Sequence, residues 1–238
     1  FFFFYGWLFG LGYFFTNLYW ITISLTFDQN FTFLIPIALV LIPSFLSLFY
    51  GLVSLVFYLF KLRNIISAFF LFSLLFGITE FIRGHILTGF PWNLIVYSLS
   101  ENIKFISFIS LVGTYSFNLL MISFFSAPAL YILRRSKKEI ILSALLLLMP
   151  ILFFSYSSFH KQEFLKAELK KNPYLVRIIG SNISLDRFYS NTQAEFVIDE
   201  LIKISNPIEN EKILFLWPEG IIPGIYQNEL QLYNDKFI

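Results

Sequence analysis

The chain is 238 residues long, 57% hydrophobic and 21% aromatic, with 13% charged residues and a formal net charge of +2. A mean hydropathy of +0.72 excludes an ordinary water-soluble domain and implies a membrane protein. The small net charge, scattered in short clusters, argues against nucleic acid as a partner, and the absence of cysteine leaves no disulfide, thiolate metal ligand or thiol nucleophile.

The chain opens on FFFFYGWLFG, already inside an apolar run, with no initiator Met and no signal-peptide pattern, as expected of a piece of a longer protein. A helix needs roughly 20 residues to cross a hydrocarbon core of about 30 Å. Five stretches qualify, residues 3–26, 31–60, 65–82, 105–133 and 140–157, so residues 1–157 are expected to form a five-helix transmembrane domain. Pro36, Pro43 and Gly51 fall in the over-long second stretch and predict a kink or tilt there. The span centres carry no charged residue, which disfavours an ion path or a transporter.

Loop charges set the orientation. Lys61 and Arg63 share a side with Arg134, Arg135, Lys137 and Lys138, whereas the first loop holds only Asp28. The positive-inside rule makes the basic side cytoplasmic. Residues 83–104 and everything after residue 157 then face the other compartment, the periplasm of a Gram-negative cell.

After residue 157 the composition changes. Residues 158–173, including HKQEFLKAELKKNP, read as a polar amphipathic connector, a solvated or membrane-surface helix. Residues 174–238 follow an α/β pattern: YLVRIIG (174–180) is a short β-branched run, residues 187–205 have helical spacing, and residues 213–217 form a second buried-type strand. One βαβ unit of this size cannot close a core and is expected to open a larger sheet.

In a parallel sheet, reactive groups gather beyond the carboxyl ends of strands. Glu219 lies at such an end, directly after Trp217-Pro218, and Asn182 holds the corresponding place after the first strand. A carboxylate walled by Trp and Pro suits a general base; on spacing alone, a turn cap or a solvated carboxylate is the simpler reading. Gly89-Phe90-Pro91-Trp92 joins turn residues to two large aromatics just outside a span. That composition suits either an aromatic-belt anchor or an element at headgroup level beside a site entrance. Glu80 and Arg83 stand one helical turn apart and are read as a structural pair that positions this loop. His85 and His160 have no second ligand at suitable spacing, so no metal is expected, and Asn118 inside a span reads as an interhelical hydrogen-bonding group.

The run ILFLWPEGIIPG resembles the strand-end W-P-E signature of the nitrilase superfamily, in which the Glu is the base of a Glu-Lys-Cys triad. TEFIRGHILTGFPWNLIVYS, residues 79–98, is similar to the E-x-x-R-(x)4-T-G-F-P-W-N segment of the bacterial apolipoprotein N-acyltransferase family. The opening YGWLFGLGYFFTNLYW and the run VRIIGSNIS are also similar to that family. The resemblance implies a polytopic α-helical membrane domain followed by the start of an α/β nitrilase-like domain, an α-β-β-α sandwich, truncated here. It implies an inner-membrane enzyme that moves an acyl chain from a phospholipid donor, through a thioester, to the N-terminal amine of a diacylglyceryl-cysteine lipoprotein precursor, with membrane lipids as surroundings and no cofactor. Glu219 would be the general base. Trp217, Pro218, Phe188, Gly89, Phe90, Pro91, Trp92 and Asn93 would bind substrate or shape the site, and Glu80 and Arg83 would be structural. The family's Lys and Cys are expected beyond Ile238. Where the family has a Lys-Trp pair after the first strand, Arg187-Phe188 stands here, keeping an aromatic but losing the indole donor. A non-catalytic product of a split or decaying gene, acting as a membrane scaffold for the remaining piece, is the alternative left open.

Overall fold

A computed structural model describes residues 1–87, 89–166, 174–180, 194–208, 212–218, 220–222 and 229–236. The chain forms two compact units, Phe1–Ala167 and Glu168–Ile238. Glu219 and Phe188 lie outside the described residues, as do Thr88 and Asn182.

The first unit is helical. Helix α1 (Phe2–Asn17) is followed by a 3-10 segment, Tyr19–Thr26, bent 50° from it. Another 3-10 segment, Gln29–Leu34, leads into α2 (Ile35–Leu59); the Asp28 carboxylate caps this entry by accepting the Asn30 N–H at 2.9 Å. Then come α3 (Ile65–Arg83), a 3-10 turn at Ile95–Leu99, the single-turn helices α4 (Ile103–Ile106) and α5 (Ile109–Val112), and α6 (Thr114–Ile132). Helices α7 (Lys137–Leu147) and α8 (Met149–Lys166) complete it. Among the described residues four helical stretches are long and apolar enough to cross a membrane, Gln29–Leu59, Ile65–Arg83, Thr114–Ile132 and Lys137–Glu163. The bent pair Phe2–Asn17 and Tyr19–Thr26 makes a fifth if it counts as one broken span. This unit is a multi-pass membrane domain.

Two boundaries differ from the hydropathy pattern. The expected span 105–133 starts as a continuous helix only at Thr114, because Gly113 has φ 80° and ψ 163°, a region open essentially to glycine alone, and divides α5 from α6. The last span runs past residue 157, with α8 continuing through the first part of the connector to Lys166. Pro36 enters α2 in its first turn, where a missing N–H costs nothing, and Pro43 sits inside the helix without ending it.

Small residues set the packing of α1 on α2. A Cβ at Gly6 would lie 2.2 Å from the Tyr50 carbonyl oxygen, and one at Gly10 would lie 3.0 Å from Ser47 Cα. This Gly-x-x-x-Gly face lets the helices approach backbone to backbone, as membrane interfaces require when burial from water no longer drives association. Phe14, Leu46, Tyr50, Val53 and Phe76 fill the core of this region. A second cluster, Leu94, Val96, Phe117, Met121 and Phe153, joins the 3-10 turn to α6 and α8. Asn118, fully buried on α6, accepts the Val96 N–H at 3.0 Å, so its partner is the backbone of that turn.

The second unit holds β1 (Leu175–Ile178), α9 (Ala194–Ser205) and β2 (Ile213–Leu216). The strands pair in parallel with Leu175 opposite Ile213 and Ile178 opposite Leu216. Helix α9 turns Val197, Ile198 and Leu201 inward, and a small core forms from Val197, Leu201 and Ile221 with Trp217 and Ile222 against it. The early part of the expected 187–205 helix, before Ala194, lies outside the described residues.

Candidate functional site

The loop that follows α3 is organised by Arg83. Its guanidinium is buried, like the Glu80 carboxylate it pairs with, Nη2 donating to Oε2 at 2.6 Å and Nε to Oε1 at 3.4 Å. The remaining nitrogen, Nη1, donates to the carbonyl oxygens of Phe90 at 2.8 Å and Trp92 at 3.0 Å. A planar fork can serve a carboxylate on one edge and two carbonyls on another; lysine cannot. The Phe90 N–H returns a bond to the Arg83 carbonyl at 2.9 Å, and the guanidinium stacks 5.2 Å from the Phe14 ring centroid.

Glycine makes the turn possible. Gly89 has φ +80°, and a Cβ there would stand 2.5 Å from the Gly84 carbonyl oxygen. Asn93 also adopts positive φ, at 59°, a conformation Asn tolerates better than most residues. The Tyr13 hydroxyl donates to the Asn93 carbonyl at 2.8 Å, and the Asn93 amide donates to the Asn17 carbonyl at 3.3 Å. Thus α1 and the loop are tied together across some eighty residues of chain. The Tyr50 hydroxyl lies beside Glu80 but outside hydrogen-bonding geometry. Pro91 and Trp92 remain exposed, Trp92 meeting Trp20 edge-on with centroids 6.3 Å apart.

Of the residues singled out by sequence, Glu80, Arg83, Phe90, Trp92 and Asn93 are brought together here, with Gly89 shaping the turn. Tyr13, Asn17 and Trp20 were not singled out. Gly6, Gly10, Tyr13 and Asn17 share one helical face of α1, and that 4-3-4 spacing was the available signal. His85 is occupied: its Nδ1 lies 2.7 Å from the Phe81 carbonyl oxygen and its ring packs on Phe81 and Tyr115. Among the described residues no group of three or more His, Cys, Asp or Glu could hold a metal ion.

In the second unit, Trp217 and Pro218 follow the carboxyl end of β2. The Trp217 indole donates to Ser205 Oγ at 2.9 Å, linking the strand end to the last residue of α9, and Pro218 is exposed. Gly220 has φ +65°, so the backbone turns sharply after the strand. Ile221 is buried against Val197 and Leu201.

A multi-pass helical domain with an aromatic loop clamped at one end of a span, followed in the chain by a parallel βαβ unit, defines a membrane protein bearing a separate α/β unit. Residues 1–127 match the model of the apolipoprotein N-acyltransferase N-terminal domain. The chain belongs to the apolipoprotein N-acyltransferase family. It is 29% identical to the apolipoprotein N-acyltransferase of Brucella melitensis over 95% of this chain and 43% of that protein. It is 30% identical to those of Allorhizobium ampelinum, over 92% of this chain and 42% of the relative, and Rhodopseudomonas palustris, over 94% and 43%. The chain therefore spans less than half the length of these relatives. No solved structure matches it significantly.

Proposed function

We propose that the chain supplies the membrane domain and the opening of a nitrilase-like domain of an apolipoprotein N-acyltransferase, set in a bacterial inner membrane with the unit that follows α8 in the periplasm. One conjunction carries the reading: a membrane domain of this family over residues 1–127, and a Trp-Pro-Glu run directly after the second strand of a parallel β-α-β unit.

The substrates are a phospholipid and the diacylglyceryl-cysteine at the N-terminus of a lipoprotein precursor. A Cys thiolate attacks the phospholipid ester carbonyl, forming a thioester and releasing the lysophospholipid. The lipoprotein amine then attacks the thioester, forming the amide and returning the thiol. Glu219 takes the thiol proton in the first half and the amine proton in the second. A Lys beside it steadies the oxyanion of each tetrahedral intermediate. None of the 238 residues is cysteine, so the nucleophile is supplied from outside them. Trp217, Pro218 and Phe188 are assigned to binding substrate or shaping the site. Gly89, Phe90, Pro91, Trp92 and Asn93 form a shelf at headgroup level, held in place by Arg83 and Glu80.

The test is Glu219→Gln in the full-length protein, followed by mass spectrometry of the acyl adduct. The expected result is no thioester with normal membrane insertion. An adduct at the wild-type level would overturn the assignment of the base.

A further inference from the structure

A groove of about 720 Å³ opens at the other end of α3. A 19-residue helix is about 28 Å long, so this groove lies a full span away from Arg83 and the aromatic loop. It forms where the carboxyl ends of α2 and α6 meet the start of α3. Phe57, Phe72, Phe125 and Leu133 line it, with the small residues Ala68 on α3 and Ala129 on α6 between them. Arg63 and Arg135, from the two adjoining loops, also line it. Its volume is in the range of about 300–1,000 Å³ typical of small-molecule sites, and its surface is chiefly apolar with a few polar groups, as such sites are.

The charges at this end are uncompensated. Lys61, Arg63, Arg134, Arg135, Lys137 and Lys138 cluster here, and none makes an ion pair among the described residues. The one acid nearby, Glu139, is engaged elsewhere: its carboxylate accepts the Ser136 N–H at 2.7 Å and the Ser136 hydroxyl at 2.5 Å, closing a capping box on α7. Arg134 is spent locally, donating to the Tyr131 carbonyl at 2.6 Å and covering the Tyr131 ring. The guanidiniums of Arg63 and Arg135 have no hydrogen bond among the described residues, and both residues are exposed.

We propose that this groove seats one anionic phospholipid, its phosphate between Arg63 and Arg135 and an acyl chain along the Phe57, Phe72 and Phe125 walls, in the leaflet that the positive-inside rule makes cytoplasmic. The occupant follows from complementarity. Two unpaired guanidiniums suit a phosphate through paired N–H donors. A chiefly apolar trough at membrane depth suits an acyl chain and not a soluble anion. Basic pockets between spans on the cytoplasmic side are where anionic headgroups collect. The proposal does not depend on the acyl-transfer reading.

Native mass spectrometry of the purified full-length protein in detergent, titrated with phosphatidylglycerol or phosphatidylcholine, tests it. The wild type is expected to retain one phosphatidylglycerol about tenfold more strongly than phosphatidylcholine. Glycerophosphoglycerol, the same headgroup without acyl chains, is expected not to compete. R63Q/R135Q removes two exposed charges without touching the core and should abolish the preference. A129F keeps both arginines, fills the groove and should also abolish retention. Equal retention of the two lipids by the wild type, or wild-type retention of phosphatidylglycerol by R63Q/R135Q, overturns the proposal. Retention by a folded A129F would show attraction to the basic surface alone, with the same consequence. If another part of a longer chain fills the groove, the wild type takes up no more lipid than R63Q/R135Q, and the proposal falls.

Discussion

Leu8 on α1 and Leu175 on β1 are each 57% exposed, yet the two exposures have opposite meanings. In the first unit lipid is the solvent, so an outward Leu, Phe or Ile is at ease, and the demanding groups are polar ones buried among helices. That is why Arg83 engages carboxylate and carbonyl oxygens alike. In the second unit, whose polar α/β pattern reads as water-facing, the exposed apolar residues of β1 and β2, Leu175, Val176, Ile178, Leu214 and Leu216, are the uncomfortable ones. The first unit is specified by where its polar atoms go; in the second, the strands and α9 among the described residues leave apolar side chains that need further cover.

The largest expected effect tests the polar side of this contrast. Arg83→Met leaves Glu80 as a buried charge without its partner and strands the Phe90 and Trp92 carbonyls, at a cost of about 3–5 kcal/mol. Thermal unfolding in detergent should show a large fall in Tm, and adding Glu80→Gln in the same chain should recover part of it. A wild-type Tm for Arg83→Met alone would break the contrast.

Gly89→Ala comes next. Its φ of +80° and a Cβ 2.5 Å from the Gly84 oxygen predict a loss of about 1–3 kcal/mol. Gly113 shares the φ but has open space around it, so Gly113→Ala should cost less. Equal losses would show that backbone strain, not the crowding of the clamped loop, sets the cost. The smallest effect is expected in the second unit: Ser205→Ala removes the acceptor of the Trp217 indole, worth about 1 kcal/mol. Hydrogen exchange should quicken at β2 and leave the first unit unchanged; quickening in α3 would contradict it.

Much of this was legible in the chain. Hydropathy sums marked the stretches that cross a membrane, since a span is a local property of about 20 residues. The start of α6 was not legible, because an average over a window is blind to Gly113. The short strands could be read from β-branched runs between turn residues, and their parallel pairing from the helical spacing between them. In the clamped loop, the three-residue spacing of Glu80 and Arg83 is a signal any helix carries. The other two partners of Arg83 are backbone carbonyls, which have no residue type and leave no mark in a sequence. Tyr13 gave only its place on the Gly6–Gly10 face of α1, a signal easily taken for that of an interface anchor near the end of an aromatic-rich span.

What the sequence determined by itself was the solvent of each segment. An apolar first part belongs in lipid, a patterned second part folds as an α/β unit, and the basic loops share one side, all from local sums of transfer free energy and charge. The tertiary structure decided which distant groups meet. The Tyr13 bond to Asn93, the fork of Arg83 over the 90–92 loop and the groove between α2, α3 and α6 come from helix packing at distances set by Gly6 and Gly10 and by neighbours far along the chain. Periodicity assigns a residue to a face, but only packing brings that face to its partner.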